Sequence, residues 1–431
     1  MERVTFHTLG CKVNQYETES MIELFKNKGY IIVDKEDFAD IYIINTCTVT
    51  NMSDRKSRQF IRKAKKINPN CLVAVVGCYA QVSPEEVEKI EDVDIIIGTN
   101  NRNMIVELCE DFKKNGKRIN KVISSNQLKT FEKININSVE SKTRAYLKVQ
   151  DGCNQYCSYC IIPYARGPVR SRNYLEIENE VKKLAENGFK EIILTGIHIA
   201  SYGKDLGNIN LKNLIYNLSF IDGIKRIRLS SIEPNIIDKE FMDIAYNTNK
   251  LCDHFHLSLQ SGSDSVLRRM NRKYSTSEYY EKVELIREYF PNAGITTDII
   301  VGFPGETDDE FEQTLEFVKK VKFSKIHVFK FSPRKGTKAF SMENQIPSEI
   351  KEKRSKTLID LSEKLMNEFY EKLLNHKSDV LFESKYNNED FIYEGYTTNY
   401  VRVIKKSDFD LIGQIKNVTL KEVSLDKIIA I

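Results

Sequence analysis

Cys153, Cys157 and Cys160 stand in the run DGCNQYCSYC, directly after a β-rich stretch, Ala145–Val149. Thiols this close cannot all enter disulfides, and three are one short of the closed tetrahedral set that structural zinc takes. Three soft ligands around one point suit an iron–sulfur cube that keeps one iron free. A free iron on a reducing cluster can bind and split S-adenosylmethionine (SAM), which yields a carbon radical. That chemistry is needed where the target C–H bond is too inert for acid–base catalysis. Zinc or buried structural thiols are the alternatives for this triad, and no His stands next to it to complete a zinc set.

Three further cysteines follow strand-like runs. Cys11 comes after Val4–Thr8, Cys47 after Ile41–Asn45 and Cys78 after Leu72–Val76, whereas Cys71 and Cys109 do not share this placement. Strand ends of one parallel sheet lie side by side, so these thiols can converge on a second cluster. The other reading is chance, since small buried cysteines are common in cores.

The elements that must position these residues fall into two alternating series. In residues 1–112, apolar runs at Val4–Thr8, Ile41–Asn45, Leu72–Val76 and Ile95–Ile97 alternate with helical patterns beginning near Glu17, Ser53 and Pro84. Ser83-Pro84-Glu85-Glu86 reads as a capped helix start. This order predicts a parallel α/β sheet with its sites at the carboxyl ends of strands. A polar Lys/Asn-rich stretch, 113–143, reads as a linker. The second series spans 144–347, with strands at Tyr146–Val149, Glu191–Thr195, Arg226–Ser230, Phe255–Ser258, Thr297–Val301 and Ile326–Phe331. Six strands with helices between them predict an open (β/α)6 barrel. An amphipathic helical extension, 348–374, follows, and the short broken strands of 375–431 predict a small β-barrel.

Composition excludes several classes. The 431 residues are 29% charged and 41% hydrophobic, and no apolar run is long enough for a membrane. The start, MERVTFHTLG, carries no secretory pattern, and nine cysteines are an odd number. A reducing cytoplasm with metal ligation is the expectation. The net charge of +4 is too small to identify a nucleic-acid partner. Basic residues nevertheless cluster in Arg55–Lys66, at Arg166, Arg170 and Arg172, and at Arg268, Arg269, Arg272 and Lys273. Two of these clusters flank candidate strand-end sites, so phosphate contact is expected there. A loop-bracing ion pair is the alternative for Arg166.

The loop and strand context resembles the radical SAM superfamily. The resemblance implies that Thr195 and Gly196 (second strand), Ser231 and Glu233 (third), Gln260 (fourth) and Gly302 and Gly305 (fifth) bind SAM, the two glycines letting backbone approach adenine and ribose. More specifically, TLGCKVNQYETE, INTCTVT, VVGCYAQ, DGCNQYCSYCIIPYARG, RLSSIEP, HLSLQSGSDSVLRRMNRKY and DIIVGFPGET together resemble the methylthiotransferase family. Nearly the whole chain takes part, and the opening TLGCKVNQYET looks most like the branch acting on N6-threonylcarbamoyladenosine in tRNA. Lys12-Val13-Asn14 departs from the openings usual in the branches acting on isopentenyladenosine and on a ribosomal protein.

The resemblance implies two [4Fe-4S] clusters, on Cys153/Cys157/Cys160 and Cys11/Cys47/Cys78, facing one cavity, and a C-terminal TRAM domain that binds RNA through residues such as Tyr396, Tyr400 and Arg402. The implied reaction replaces the C2 hydrogen of the modified adenosine at tRNA position 37 with a methylthio group. The first cluster cleaves SAM, the second delivers sulfur and a second SAM supplies the methyl. Partners would be the tRNA anticodon stem-loop, an electron donor such as flavodoxin or ferredoxin, and a sulfur donor, in the cytoplasm. Methylthiolation of isopentenyladenosine or of a ribosomal protein remains open, as do a non-catalytic iron–sulfur RNA-binding protein and a zinc-binding one.

Overall fold

The computed structural model describes residues 1–133 and 143–431. Strands β1 (Arg3–Thr8), β2 (Ile31–Ile32), β3 (Ile41–Thr46), β4 (Leu72–Gly77), β5 (Ile95–Ile97) and β6 (Ile119–Asn120) form one parallel sheet in the order β2-β1-β3-β4-β5-β6. Every residue of β3 and β4 is buried, as for central strands covered on both faces. The α/β expectation holds. The edge strands β2 and β6 are too short to leave a periodic signal. The helix expected near Glu17 starts earlier, at Lys12, and Ser83 makes no side-chain cap. Of the polar stretch 113–143, a helix runs to Asn115 and β6 follows, while residues 134–142 lie outside the described ones.

The second series forms strands β7 (Arg144–Asp151), β8 (Arg170–Ser171), β9 (Glu191–Gly196), β10 (Arg226–Leu229), β11 (His254–His256), β12 (Gly294–Val301) and β13 (Lys325–Lys330). They lie as β10-β9-β7-β8 and β11-β12-β13, and the parallel bridges Ile227↔Leu251 and Ile232↔Leu257 join the two groups. The result is an open wall of six parallel strands around a large apolar core, with antiparallel β8 on its β7 side. The helix Ser348–Lys372 packs on β13, where Ser362 Oγ accepts from the Ile326 amide at 3.0 Å. Strands β14 (Lys377–Lys385), β15 (Ile392–Thr397), β16 (Arg402–Lys406), β17 (Ile415–Ser424) and β18 (Lys427–Ala430) close into a barrel, which removes free sheet edges. Among the described residues, no helix is long and apolar enough to cross a membrane.

Two polar joints fix the parts relative to each other. Glu17 of the first sheet's leading helix pairs with Arg102, with Arg166 and, at 2.7 Å, with Lys148 on β7. Lys148 and Arg166 also reach Asp151, at 2.7 and 3.4 Å. All five side chains are nearly inaccessible to solvent. A buried charge left unpaired is costly, so this set tolerates little displacement of one part against the other. At the other joint, Arg226 and Arg228 of β10 donate to the carbonyls of Asp379, Tyr396, Thr397 and Thr398 at 2.7–3.1 Å, which seats the closed barrel.

Candidate active site

Parallel register puts the ends of β1, β3 and β4 side by side, with Thr8 opposite Asn45 and Thr46 opposite Gly77. Cys11, Cys47 and Cys78 follow these ends. Asn14 ties the loops together, its Nδ2 donating to the Leu9 carbonyl at 2.7 Å and the Thr46 carbonyl at 2.9 Å. Gly10 approaches Cys47 so closely that a Cβ there would lie 2.8 Å from the Cys47 Cβ, and its φ of +107° suits glycine. Cys78 heads the helix Cys78–Val82 after Gly77 turns with φ +95°. Arg166 Nε donates to Cys78 Sγ at 3.3 Å.

The loop after β7 carries the other triad. The Cys153 amide bonds the Gly167 carbonyl at 3.0 Å, and the Cys160 amide bonds the Cys157 carbonyl at 2.9 Å. Arg272 Nη1 donates to Cys157 Sγ at 3.3 Å and Nη2 pairs with Glu233 at 3.1 Å. Glu233 also lies 3.0 Å from His198 Nε2 and accepts from Gln155 Nε2 at 3.1 Å. Burial pushes the Glu233 carboxyl up, but His198 and Arg272 outweigh it and hold it below the usual range. Burial pushes the thiols of Cys160 and Cys78 up to about 12, and that of Cys153 to about 11. A metal cluster supplies positive charge that would hold such thiols as thiolates. The donor set therefore fits an iron–sulfur group at each triad.

A cavity of about 640 Å³ lies against both triads, lined by Cys11 on one side and by Cys153, Cys157 and Cys160 on the other. Thr195, Gly196, Ser231 and Glu233 line it as well, and Gln260 lines an adjoining cavity of about 220 Å³ with Cys160. A side chain at Gly196 would meet Gln150 and Ile199 atoms at 2.9 Å, so the wall admits only glycine there. Gln260 holds φ +76°, a left-handed turn rare outside glycine and asparagine that re-aims the chain into the cavity. Gly302 and Gly305, expected near the nucleoside, line neither cavity. The Gly302 amide is taken by Glu306 at 2.7 Å.

The arginines expected on phosphate are mostly enclosed. Arg166 and Arg172 are buried, Arg166 in the ionic joint and Arg172 on Glu180 at 2.5 Å. Arg170 is buried against Asp151 at 3.5 Å and backbone carbonyls. Arg269 pairs with Glu310 at 2.7 Å, while Arg268 is exposed. Each enclosed guanidinium faces a carboxylate on another element, which is the loop-bracing arrangement. Tyr396 and Tyr400 also differ from expectation. They stack on each other at 5.0 Å beneath Arg144 and face the six-stranded wall, because the arginine joint seats them there. Arg402 is held by Glu394 and Asp426, at 2.6 and 3.0 Å.

Sequence reasoning passed over Lys12, Gln155, His198, Asp298 and His327, all on the cavity wall. Alternation along β12 and β13 could have flagged the last two as facing the barrel interior.

The chain matches the model of the radical SAM superfamily over residues 147–318 and that of uncharacterized protein family UPF0004 over 3–98. It is 42% identical over 423 residues to the threonylcarbamoyladenosine tRNA methylthiotransferase MtaB of Bacillus subtilis, covering 97% of this chain and 94% of that one. With the MtaB of Aquifex aeolicus identity is 44% over 372 residues, covering 86% and 90%. The tRNA-2-methylthio-N(6)-dimethylallyladenosine synthase of Natranaerobius thermophilus is 37% identical over 420 residues, covering 96% and 93%. Among solved structures, the radical SAM methyltransferase TsrM of Kitasatospora setae, with cobalamin and a [4Fe-4S] cluster bound, shares the fold at TM-score 0.58 and 14% identity, over 79% of this chain and 77% of that one. With Cys11 and the three cysteines of the loop after β7 on one cavity, and near full-length likeness to these enzymes, this chain belongs to the radical SAM methylthiotransferase family.

Proposed function

We propose that this chain converts N6-threonylcarbamoyladenosine at position 37 of tRNA to its 2-methylthio derivative. The observation that carries the reading is the single cavity reached by Cys11 from one triad and by Cys153, Cys157 and Cys160 from the other. An aromatic C2–H is neither acidic nor readily displaced, so the sulfur source and the radical source must meet at one carbon. When bound, the cluster on Cys153, Cys157 and Cys160 supplies the electron that splits SAM to a carbon radical, and the one on Cys11, Cys47 and Cys78 supplies sulfur. A second SAM supplies the methyl group.

The chain's own residues do the positioning. Thr195, Gly196, Ser231 and Glu233 sit where SAM would bind, and His198 and Arg272 keep Glu233 ionised to face its ammonium. Arg272 and Arg166 each donate to one thiol sulfur, which fixes the orientation of Cys157 and Cys78. Tyr156 and Tyr164, exposed and edge to face at 5.8 Å beside the cysteine loop, offer stacking surface to unpaired anticodon bases. The helix Asn51–Ile67 exposes Arg55, Lys56, Arg62 and Lys66 for phosphate contact.

In this reading residues 1–112 carry the sulfur-delivering part, 144–347 the SAM part and 375–431 an RNA-binding barrel. Partners are the anticodon stem-loop, a low-potential electron donor such as flavodoxin or ferredoxin, and a sulfur donor, in the cytoplasm. Mass spectrometry of position-37 nucleosides from cells with and without this gene tests the proposal. Loss of the 2-methylthio form of threonylcarbamoyladenosine on deletion is the expected result. Loss of the isopentenyl counterpart instead would overturn the substrate assignment.

A further inference from the structure

The interior of the six-stranded wall continues past the cluster cavity into a second chamber of about 340 Å³. Lys12, Ser231, Asp298 and His327 line both spaces, so the two adjoin. The chamber floor is Tyr396 and Tyr400 of the closed barrel. At its centre His256 Nε2 lies 3.2 Å from Asp298, and His256, Asp298 and His327 bring ligand atoms within 4.8 Å of one another.

Two histidines and a carboxylate can hold a divalent cation. The surrounding charge argues for the opposite occupant. Of the two acids on the chamber wall, Asp426 pairs with Arg402 at 3.0 Å, and Asp298 lies 3.2 Å from His256. Half-buried Lys12 and exposed Lys325 also line the chamber, and among the described residues neither side chain makes an ion pair or a side-chain hydrogen bond. The charged groups that act on Lys12 are Arg228, Arg144 and Glu191, together with Tyr400, and Glu191 is itself shared among Arg228, Arg226 and Arg144 at 2.7, 3.6 and 3.9 Å. Lys12 and Lys325 outnumber the one wall carboxylate that no arginine neutralises, so the space favours an anion over a metal ion.

The geometry points to this chamber as the site that reads the carboxylate of the substrate's N6 substituent, with Lys12 as the residue that pairs with it. The inference rests on the function proposed above. In adenine, C2 and the carbon bearing N6 flank N1 on opposite sides. A ring whose C2 meets the two triads therefore carries its N6 group on a different edge, and the chamber is the space that adjoins the cluster cavity. A threonylcarbamoyl group ends in a carboxylate and an isopentenyl group ends in methyls, so a cation at this depth separates the two substrates. Burying Lys12 without its carboxylate is the penalty that an apolar substituent would incur.

The test uses the reconstituted holoenzyme and three anticodon stem-loops, bearing threonylcarbamoyladenosine, its methyl ester or isopentenyladenosine. The wild type is expected to favour the free acid over the ester by about 10- to 100-fold in kcat/KM, the size of one charge-assisted hydrogen bond. In Lys12→Gln that ratio should fall to near one, chiefly through KM, with Lys12→Arg restoring part of it. Because Lys12 adjoins Cys11, His327→Gln serves as a second variant from the opposite wall and should lower the same ratio by a smaller factor. A preference for the acid that survives in Lys12→Gln would overturn the chamber assignment and leave the substrate assignment standing. A wild type that prefers the isopentenyl stem-loop would overturn both. Tight uptake of one zinc or manganese ion per chain beyond the cluster iron, lost in His256→Ala, would also overturn it in favour of a metal centre.

Discussion

Cys153, Cys157 and Cys160 share one loop, while Cys11, Cys47 and Cys78 come from three loops far apart in the chain. In each triad one thiol accepts a hydrogen bond from an arginine at 3.3 Å. The supports differ. Arg272 belongs to a small cluster with Glu233, His198 and Gln155 on the cavity wall. Arg166 belongs to the buried ionic joint with Glu17 and Asp151 that fastens the first sheet to the six-stranded wall. A local loop can hold three ligands by its own hydrogen bonds. A distributed triad needs a sheet to align its strands and a joint to aim it at its partner.

The sharpest way to separate the triads is to remove one ligand from each. Cys157→Ala should abolish 5′-deoxyadenosine formation, whereas Cys47→Ala should keep it and lose the methylthio product. Iron should fall from about eight to about four per chain in each variant. Product formation by Cys47→Ala would erase the distinction.

The joint itself comes next. Burial alone would raise the Glu17 carboxyl, but Arg102, Arg166 and Lys148 hold it down at about 2 from an unfolded value of 4.5. Because its folded pKa is depressed, Glu17 stabilises the fold fully above about pH 4.5, and that contribution is lost as pH falls towards about 2. Glu17→Gln should cost about 3 kcal/mol at neutral pH, seen as a lower urea midpoint, and the deficit should shrink through that acid window. An equal deficit at every pH would mean that packing and not charge holds the joint.

Smaller effects test the two arginines. Replacing either guanidinium by a neutral group removes a positive donor from one cluster's sulfur, so its reduction potential should fall. Redox titration followed by electron paramagnetic resonance should show Arg272→Gln lowering only the first cluster's potential and Arg166→Gln only the second's. Movement of both potentials in either variant would show the two supports to be coupled. The smallest effect belongs to the surface. Arg62→Ala on the basic helix should weaken tRNA binding a few-fold and reduce the salt slope by about one, read from filter binding across ionic strengths. An unchanged slope would remove this helix from the RNA contact.

Much of this arrangement was legible in the chain. The contiguous triad, the alternating strand runs and the closed terminal barrel each have a short-range signature. The arginines illustrate the limit. Arg166, Arg170 and Arg172 read as a basic patch, yet their partners Glu17, Asp151 and Glu180 lie on other elements, so only assembly reveals that the charges cancel. Tyr396 and Tyr400 read equally as RNA-facing or as core aromatics for the same reason, since Arg144 and Arg228 stand on distant strands. Gly302 and Gly305 kept the positive φ that glycine permits, at +71° and +73°, but do not line the cavity.

The sequence by itself determined which thiols follow strand ends and where the strands run, because residue spacing and hydrophobic period are local properties. Tertiary structure alone decided that Cys11 faces the other triad, that Lys12 enters the barrel interior and that most of the arginines turn inward. Those outcomes follow from the parallel register of β1, β3 and β4 and from a buried charge set that accepts only one docking of the two sheets.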